Sequence, residues 1–309
     1  MVRGAFRNRA GTAPTERRSF PRTTHDAPRT TFVIDLHVHS TASDGSESPA
    51  DVVRQAAAIK LKAIALTDHD TQAGIAEARA EAARTGIELI AGTELSVEWA
   101  QGAMHMVVLF LEPGTGPLQD RLAELRKGRS ERNARIVERL AELGLPISDS
   151  EILELAAGES VGRPHIAAVM VNRGYVESIY EAFDRYLGLG KPAYMARPRL
   201  SPEEAIGLAL ESRAVPIVAH PHTLGLNTSD EVSTTLRMLA DAGLVGIECY
   251  YPLYSPFERE GYAALAARFG LKPSGGSDYH GTYKPEVELG IGRGNLAVAD
   301  ELLDALRPG

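Results

Sequence analysis

Phe32-Val-Ile-Asp-Leu-His-Val-His39 reads as a β-strand that ends in two histidines, and a loop carrying Asp44-Gly45 follows it. Side chains alternate along a strand. His37 and His39 therefore project to one face about 7 Å apart, while Ile34, Leu36 and Val38 take the other. Asp35 shares the histidine face and is placed to accept from an imidazole. One such pair says little, but the pattern recurs wherever an apolar run ends. Thr67-Asp68-His69-Asp70 closes a second run, Glu94 a third, Ala219-His220-Pro221 a fourth, and Gly275-Gly276-Ser277-Asp278-Tyr279-His280 a fifth. His105 lies on the return arm of a hairpin that starts after Glu94 and turns near Gln101-Gly102.

Helical stretches separate these runs. Ser48 to Lys60 has Ser48 as N-cap and Pro49 at the first position. Gln72 to Thr85 ends at Gly86. Further helices cover Pro202 to Ser212, Ser229 to Ala242, Pro256 to Phe269 and Val298 to Leu306. Strands at Val215 to His220, Val245 to Tyr250 and Leu271 to Ser277 lie between them. Strands alternating with helices predict an α/β fold with crossover connections. Side chains from five strand ends meet at one point only if the sheet closes, because a barrel gathers those ends on one rim. The expected architecture is a (β/α) barrel over residues 32–112 and 196–309. Residues 113–195 are charged and helical in period (118–143, 149–157 and 163–172), and read as an inserted helical domain forming part of the substrate site.

The chain has 309 residues and a net charge of −8. Residues 1–31 hold seven arginines against Glu16 and Asp26, or +5, so the remainder carries −8 − 5 = −13. The leading segment is rich in Thr and Pro, has no apolar period and reads as a disordered basic tail. Cys249 is the single cysteine, which excludes an intrachain disulfide and suits a reducing cytoplasm. No apolar run reaches the roughly 18 residues of a membrane span. An acidic body repels polyanions, so stable binding of duplex nucleic acid is not expected, and an anionic substrate needs local positive charge.

Imidazole and carboxylate hold divalent first-row metals. The nine candidate ligands are His37, His39, Asp44, His69, Glu94, His105, His220, Asp278 and His280. Their motifs in combination resemble the polymerase-and-histidinol-phosphatase (PHP) superfamily of metal-dependent phosphoesterases. They are Asp35 to Gly45, Thr67 to Asp70, Glu94 to Ser96, Ala219 to Pro221 and Ser277 to His280. Gly162-Arg-Pro-His165 and Gly190-Lys-Pro-Ala-Tyr194 are most similar to the bacterial group that removes the 3′-phosphate of nucleoside 3′,5′-bisphosphates and is related to 5′-to-3′ exoribonucleases.

The resemblance implies a distorted seven-stranded barrel and three metals, with manganese favoured and iron or zinc possible. One metal would take His37, His39, Glu94 and Asp278. A second would share Glu94 and take His105 and His220, and a third would take Asp44, His69 and His280. Three divalent ions (+6), three carboxylates (−3) and a hydroxide (−1) leave about +2, a trap for phosphate. Such ions lower the pKa of water toward about 7, providing a hydroxide nucleophile. Asp70, His222 or a metal-held water could protonate the leaving group. Arg163, Lys191, Arg197 and Arg199 are candidates for a second phosphate, and Tyr175, Tyr194 and Tyr251 for stacking on a base. The charges from Arg126 to Arg139 read as a solvated helix face. The substrate expected is a small nucleotide, with short 5′-phosphorylated RNA, a cyclic phosphate or a non-catalytic sensor role as rivals.

Overall fold

The computed structural model describes residues 33–155 and 161–308. The expected basic tail and the end of the second insertion helix, residues 156–157, lie outside the described residues.

The first half of the barrel contains β1 (Val33–Val38), α1 (Pro49–Ala58), β2 (Ala63–Leu66), α2 (Ile75–Thr85), β3 (Glu88–Val97) and β4 (Met104–Leu109). Ser48 Oγ accepts from the Asp51 N–H and caps α1. Gly86 ends α2 at φ 79, a left-handed conformation that glycine adopts without a Cβ clash. Helices α3 (Pro117–Glu142), α4 (Asp149–Leu155), α5 (Arg163–Asn172) and α6 (Ile179–Ala182) follow, and α6 runs on as a π-helical turn at Phe183–Leu187. The barrel resumes with α7 (Pro202–Glu211), β5 (Val215–Ala219), α8 (Ser229–Asp241), β6 (Gly246–Tyr250), α9 (Pro256–Arg268) and β7 (Lys272–Gly275). It ends with β8 (Val298–Ala299) and α10 (Glu301–Leu306).

The strand order is β7-β6-β5-β4-β3-β2-β1-β8. Neighbours are parallel within β1 to β3 and within β5 to β7, whereas β4 is antiparallel to both β3 and β5. Past β7 the chain returns to β1. The Asp278 N–H donates to the His37 carbonyl at 2.9 Å, and the His39 N–H to the Tyr279 carbonyl at 3.0 Å. The seven expected strands thus curl into a nearly closed barrel, and an eighth, of two residues, pairs antiparallel with the start of β1. Val298 therefore opens a strand and not the last helix, which begins at Glu301.

Ile34, Leu36, Ala63, Ala65, Ile90, Val107, Leu109, Val215 and Ile217 share one cluster with Leu303 and Leu306 of α10. This cluster fills the barrel, and α10 closes it from below. The opposite strand faces carry Leu95, Met104, Met106, Val108 and Val218, which pack under the outer helices. Glu94 and Ser96 follow Ile90 by even steps, and His105 precedes Val107 by two, so alternation brings them to the inner face above the apolar plug. In β1 the alternation fails. A register shift lies between Asp35 and Val38, and Val38 packs with Val52 and Val53 rather than with Ile34 and Leu36. Such irregularities re-aim side chains beside functional sites.

Ile136, Leu140, Ile166, Val169, Met170 and Leu187 form a separate core among the inserted helices. Helix α3 spans both regions, with Leu118, Leu122 and Leu125 in the barrel's outer cluster. No helix among the described residues is long and apolar enough to cross a membrane.

Candidate metal centre

The fold brings all nine candidate ligands to one rim, and Glu94 is their hub. Its Oε1 lies 2.9 Å from His220 Nε2 and 3.0 Å from His105 Nδ1. Its Oε2 lies 3.0 Å from His69 Nδ1, 3.2 Å from His39 Nε2 and 3.3 Å from His37 Nε2. Asp278 Oδ1 is 3.4 Å from His39 Nε2 and 3.4 Å from His280 Nδ1. Asp44 reaches His280 Nε2 at 3.4 Å, His39 Nδ1 at 3.6 Å and His69 Nε2 at 3.7 Å.

Donor atoms within 4.8 Å of one another form four groups. These are His39, Asp44, His69 and His280; His37, His39 and Asp278; His37, Glu94 and His220; and His69, Glu94 and His105. The division differs from the one implied by resemblance in separating His105 from His220 and in adding His39 beside Asp44. Hydrogen bonding alone explains this packing poorly. His37 Nε2 and His39 Nε2 face each other at 3.1 Å, and the buried His69 Nδ1 has no hydrogen-bond partner among the described residues despite its closeness to Glu94. Converging imidazole and carboxylate lone pairs fit divalent cations. Burial works against ionisation of Asp44, Glu94 and Asp278. Neighbouring imidazoles and, for Asp278, the Lys284 ammonium outweigh it and hold all three well below the usual carboxylate range.

Buried groups fix these side chains. Glu248 Oε1 is 3.1 Å from His37 Nδ1, and its Oε2 accepts from the His220 N–H at 2.6 Å. Asp68 accepts from the Ser40 N–H and from both the Ser40 and Ser43 hydroxyls, which pins the loop presenting Asp44. Tyr251 Oη and Lys284 Nζ donate to Asp278 Oδ2 at 2.8 and 2.6 Å. Asp35 does not orient an imidazole. Below the irregularity in β1 it accepts from the backbone N–H groups of His37, Ser277 and Gly290, tying the barrel's seam. His220 and Asp278 sit at φ 27 and φ 54, left-handed conformations that non-glycine residues hold only where the surroundings enforce them.

Beside the centre lies a cleft of about 170 Å³ lined by Asp44, His69 and His105 on one side and by Arg129, Arg132, Arg163, Arg197 and Arg199 on the other. The structure brings three of the four expected phosphate cations there. Lys191 is the exception. It is half-buried, pairs with Asp184 at 3.2 Å and does not line this cleft. Asp70 does not suit the role of acid. It is fully buried and accepts from Arg129 Nη2 and, at 2.7 Å, from Arg197 Nη2. Burial opposes its charge, but the Arg197 and Arg129 guanidinium groups hold its carboxyl far below the usual range, so it carries no proton to give. His222 is exposed on the rim, with its ring 6.1 Å from that of His220 and Nδ1 3.0 Å from Tyr254 Oη.

Arg129 and Arg132 overturn the reading of the Arg126 to Arg139 face as solvated, because both are buried. A signal was present: they occupy the same stripe of α3 as Leu118, Leu122, Leu125, Ile136 and Leu140. Of the tyrosines considered for stacking, Tyr175 donates to the Pro146 carbonyl, Tyr194 lies under Arg163, and Tyr251 holds Asp278. His165 accepts from the Gly162 N–H and caps α5.

Residues 35–189 match the model of the PHP domain. A 3′,5′-nucleoside bisphosphate phosphatase of Chromobacterium violaceum is 36% identical over 248 residues, 80% of this chain and 87% of that one. The 5′-3′ exoribonuclease Rnm of Salmonella typhimurium is 34% identical over 260 residues, 84% of this chain and 88% of its own. A solved candidate metal-dependent phosphoesterase of Bifidobacterium adolescentis superposes with a TM-score of 0.78 at 31% identity, covering 88% of this chain and 94% of that one.

Proposed function

The chain belongs to the PHP domain family of metal-dependent phosphoesterases, and from that premise we propose that it removes the 3′-phosphate of nucleoside 3′,5′-bisphosphates to leave 5′-mononucleotides. The nine residues of the centre would hold three divalent ions, manganese before iron or zinc. When bound, such ions polarise phosphoryl oxygens and provide hydroxide at neutral pH.

The observation that carries the substrate reading is the arginine cleft. Five guanidinium groups meet two carboxylates, Asp70 and, on the metal side, Asp44, a local balance of 5 − 2 = +3. Arg129 Nε, Arg132 Nε and Arg197 Nη1 are buried without a hydrogen-bond partner among the described residues. Burial, and then the charges of Arg129, Arg163, Arg197 and Arg199, press the Arg132 guanidinium below its ordinary value, a penalty that a bound anion relieves. A bisphosphate fits this geometry, with its reacting phosphate beside His69 and His105 and its other phosphate among the arginines of the insertion. Guanidinium forks suit phosphate oxygens. Asp70 is ionised and locked, and burial lowers the His222 imidazole on the rim from its ordinary value, so neither side chain is assigned the proton that the leaving ribose oxygen takes up.

Rates of phosphate release from adenosine 3′,5′-bisphosphate, 5′-AMP and an aryl phosphate test this reading. The bisphosphate should lead, and equal turnover of all three overturns the specificity. One observation favours a second reading, stepwise trimming of short 5′-phosphorylated RNA. The arginine cleft shares His69 and His105 with another cleft of about 200 Å³, lined by Tyr251 and Lys284, into which a longer ligand could continue. Turnover that rises with oligoribonucleotide length would favour it.

A further inference from the structure

We infer that Asp70 is a positioning residue that sets the arginine cleft for the phosphate that does not react. This rests on the functional reading above and gives that site its internal support. Asp70 adjoins His69 in sequence, yet its carboxylate belongs to none of the metal-donor groups. It turns instead toward the insertion, where it receives Arg129 from α3 and Arg197 from the segment that returns to the barrel. Its other oxygen, Oδ1, accepts from the Ser96 N–H at 3.2 Å, and its own N–H donates to the Glu94 carbonyl at 3.0 Å. The backbone at φ 54 is left-handed, as this turn away from the metal face requires.

Asp70 is thus anchored to β3 from both its backbone and its side chain, and it holds two long cations from distant parts of the chain. Each arginine gives one Nη to Asp70 and keeps a buried nitrogen without a partner among the described residues, Nε of Arg129 and Nη1 of Arg197. Five neighbouring guanidinium groups repel one another, and flexible arginines left unpaired would spread toward solvent. One carboxylate fixed to the barrel keeps two of them in place before the ligand arrives, so less ordering is left to the binding step. It also sets the distance between the arginines and the metal centre, because His69 and Asp70 are consecutive.

The test compares kcat and KM for adenosine 3′,5′-bisphosphate and adenosine 3′-monophosphate, which lacks the second phosphate, in the metal-loaded wild type and in Asp70→Asn. The ratio of kcat/KM values, bisphosphate over monophosphate, should fall about tenfold or more in the variant, chiefly through KM. Arg129→Gln should lower the same ratio, and the double variant should fall no further than the worse single one, as expected of groups acting through one contact. A wild type indifferent to the second phosphate removes the functional reading and this inference together. A selective wild type with an equally selective Asp70→Asn removes the inference alone. So does an equal loss on both substrates accompanied by loss of bound metal, which would make Asp70 a support for His69. Should Asp70→Asn fail to fold, Arg129→Gln decides by the same ratio, and an unchanged ratio there overturns the proposal.

Discussion

Five imidazoles reach the carboxylate of Glu94, and behind them Glu248 decides how two of the histidines stand. Glu248 fixes the ring of His37 through Nδ1 and the backbone of His220 through its N–H. A partner in this position orients a ligand and raises its basicity. Glu248→Gln should therefore weaken metal affinity about 10–100-fold, measured by competition with a chelator of known strength, while the fold persists. The ligands themselves were legible in the sequence because each closes or flanks an apolar run. Glu248 was not: it lies inside such a run, Gly246–Tyr250, where nothing local separates a buried acid with a partner from an edge position. Asp70 was legible as a site residue but not in its role, since its partners stand 59 and 127 residues away in the chain.

Among the elements, α3 shows best how a site is inserted into a core. Its buried stripe runs from Leu118 through Leu122, Leu125, Arg129, Arg132 and Ile136 to Leu140. Two arginines thus occupy positions that packing would give to leucine. Among the described residues no carboxylate pairs with Arg132. Arg132→Leu should raise the unfolding free energy by about 1–4 kcal/mol, the range seen when buried charge gives way to apolar packing. The same change should raise KM for the bisphosphate about 10–100-fold, the worth of one hydrogen bond to a charged group. Thermal melting and steady-state kinetics on one sample check both. Read by charge alone, this helix looked solvated, and read by period, the two arginines stand out. The strands and helices of the barrel were legible to within a few residues. Val298–Ala299 was not, because a two-residue strand has no period of its own.

For the molecule described by residues 33–155 and 161–308, the centre is also a fastening. Its ligands lie within β1, β3 and β4 and follow β1, β2, β5 and β7, so bound cations would tie six strands together at the rim. Metal removal by a chelator should abolish phosphoester hydrolysis and lower the melting temperature. Restoring one site to about 100 times its Kd should return about 2.7 kcal/mol, or roughly 5–10 °C. Unchanged melting after verified metal loss would show that the strands need no such tie.

At the opposite end of the barrel the fastening is β8 with α10. Val298 covers the free side of Ile34, while Leu303 and Leu306 fill the floor beneath it. A product ending before Val298 would leave β1 with bare backbone donors and acceptors and an open apolar well. An uncovered sheet edge recruits other chains, so such a truncation is expected to precipitate rather than to yield a weaker enzyme.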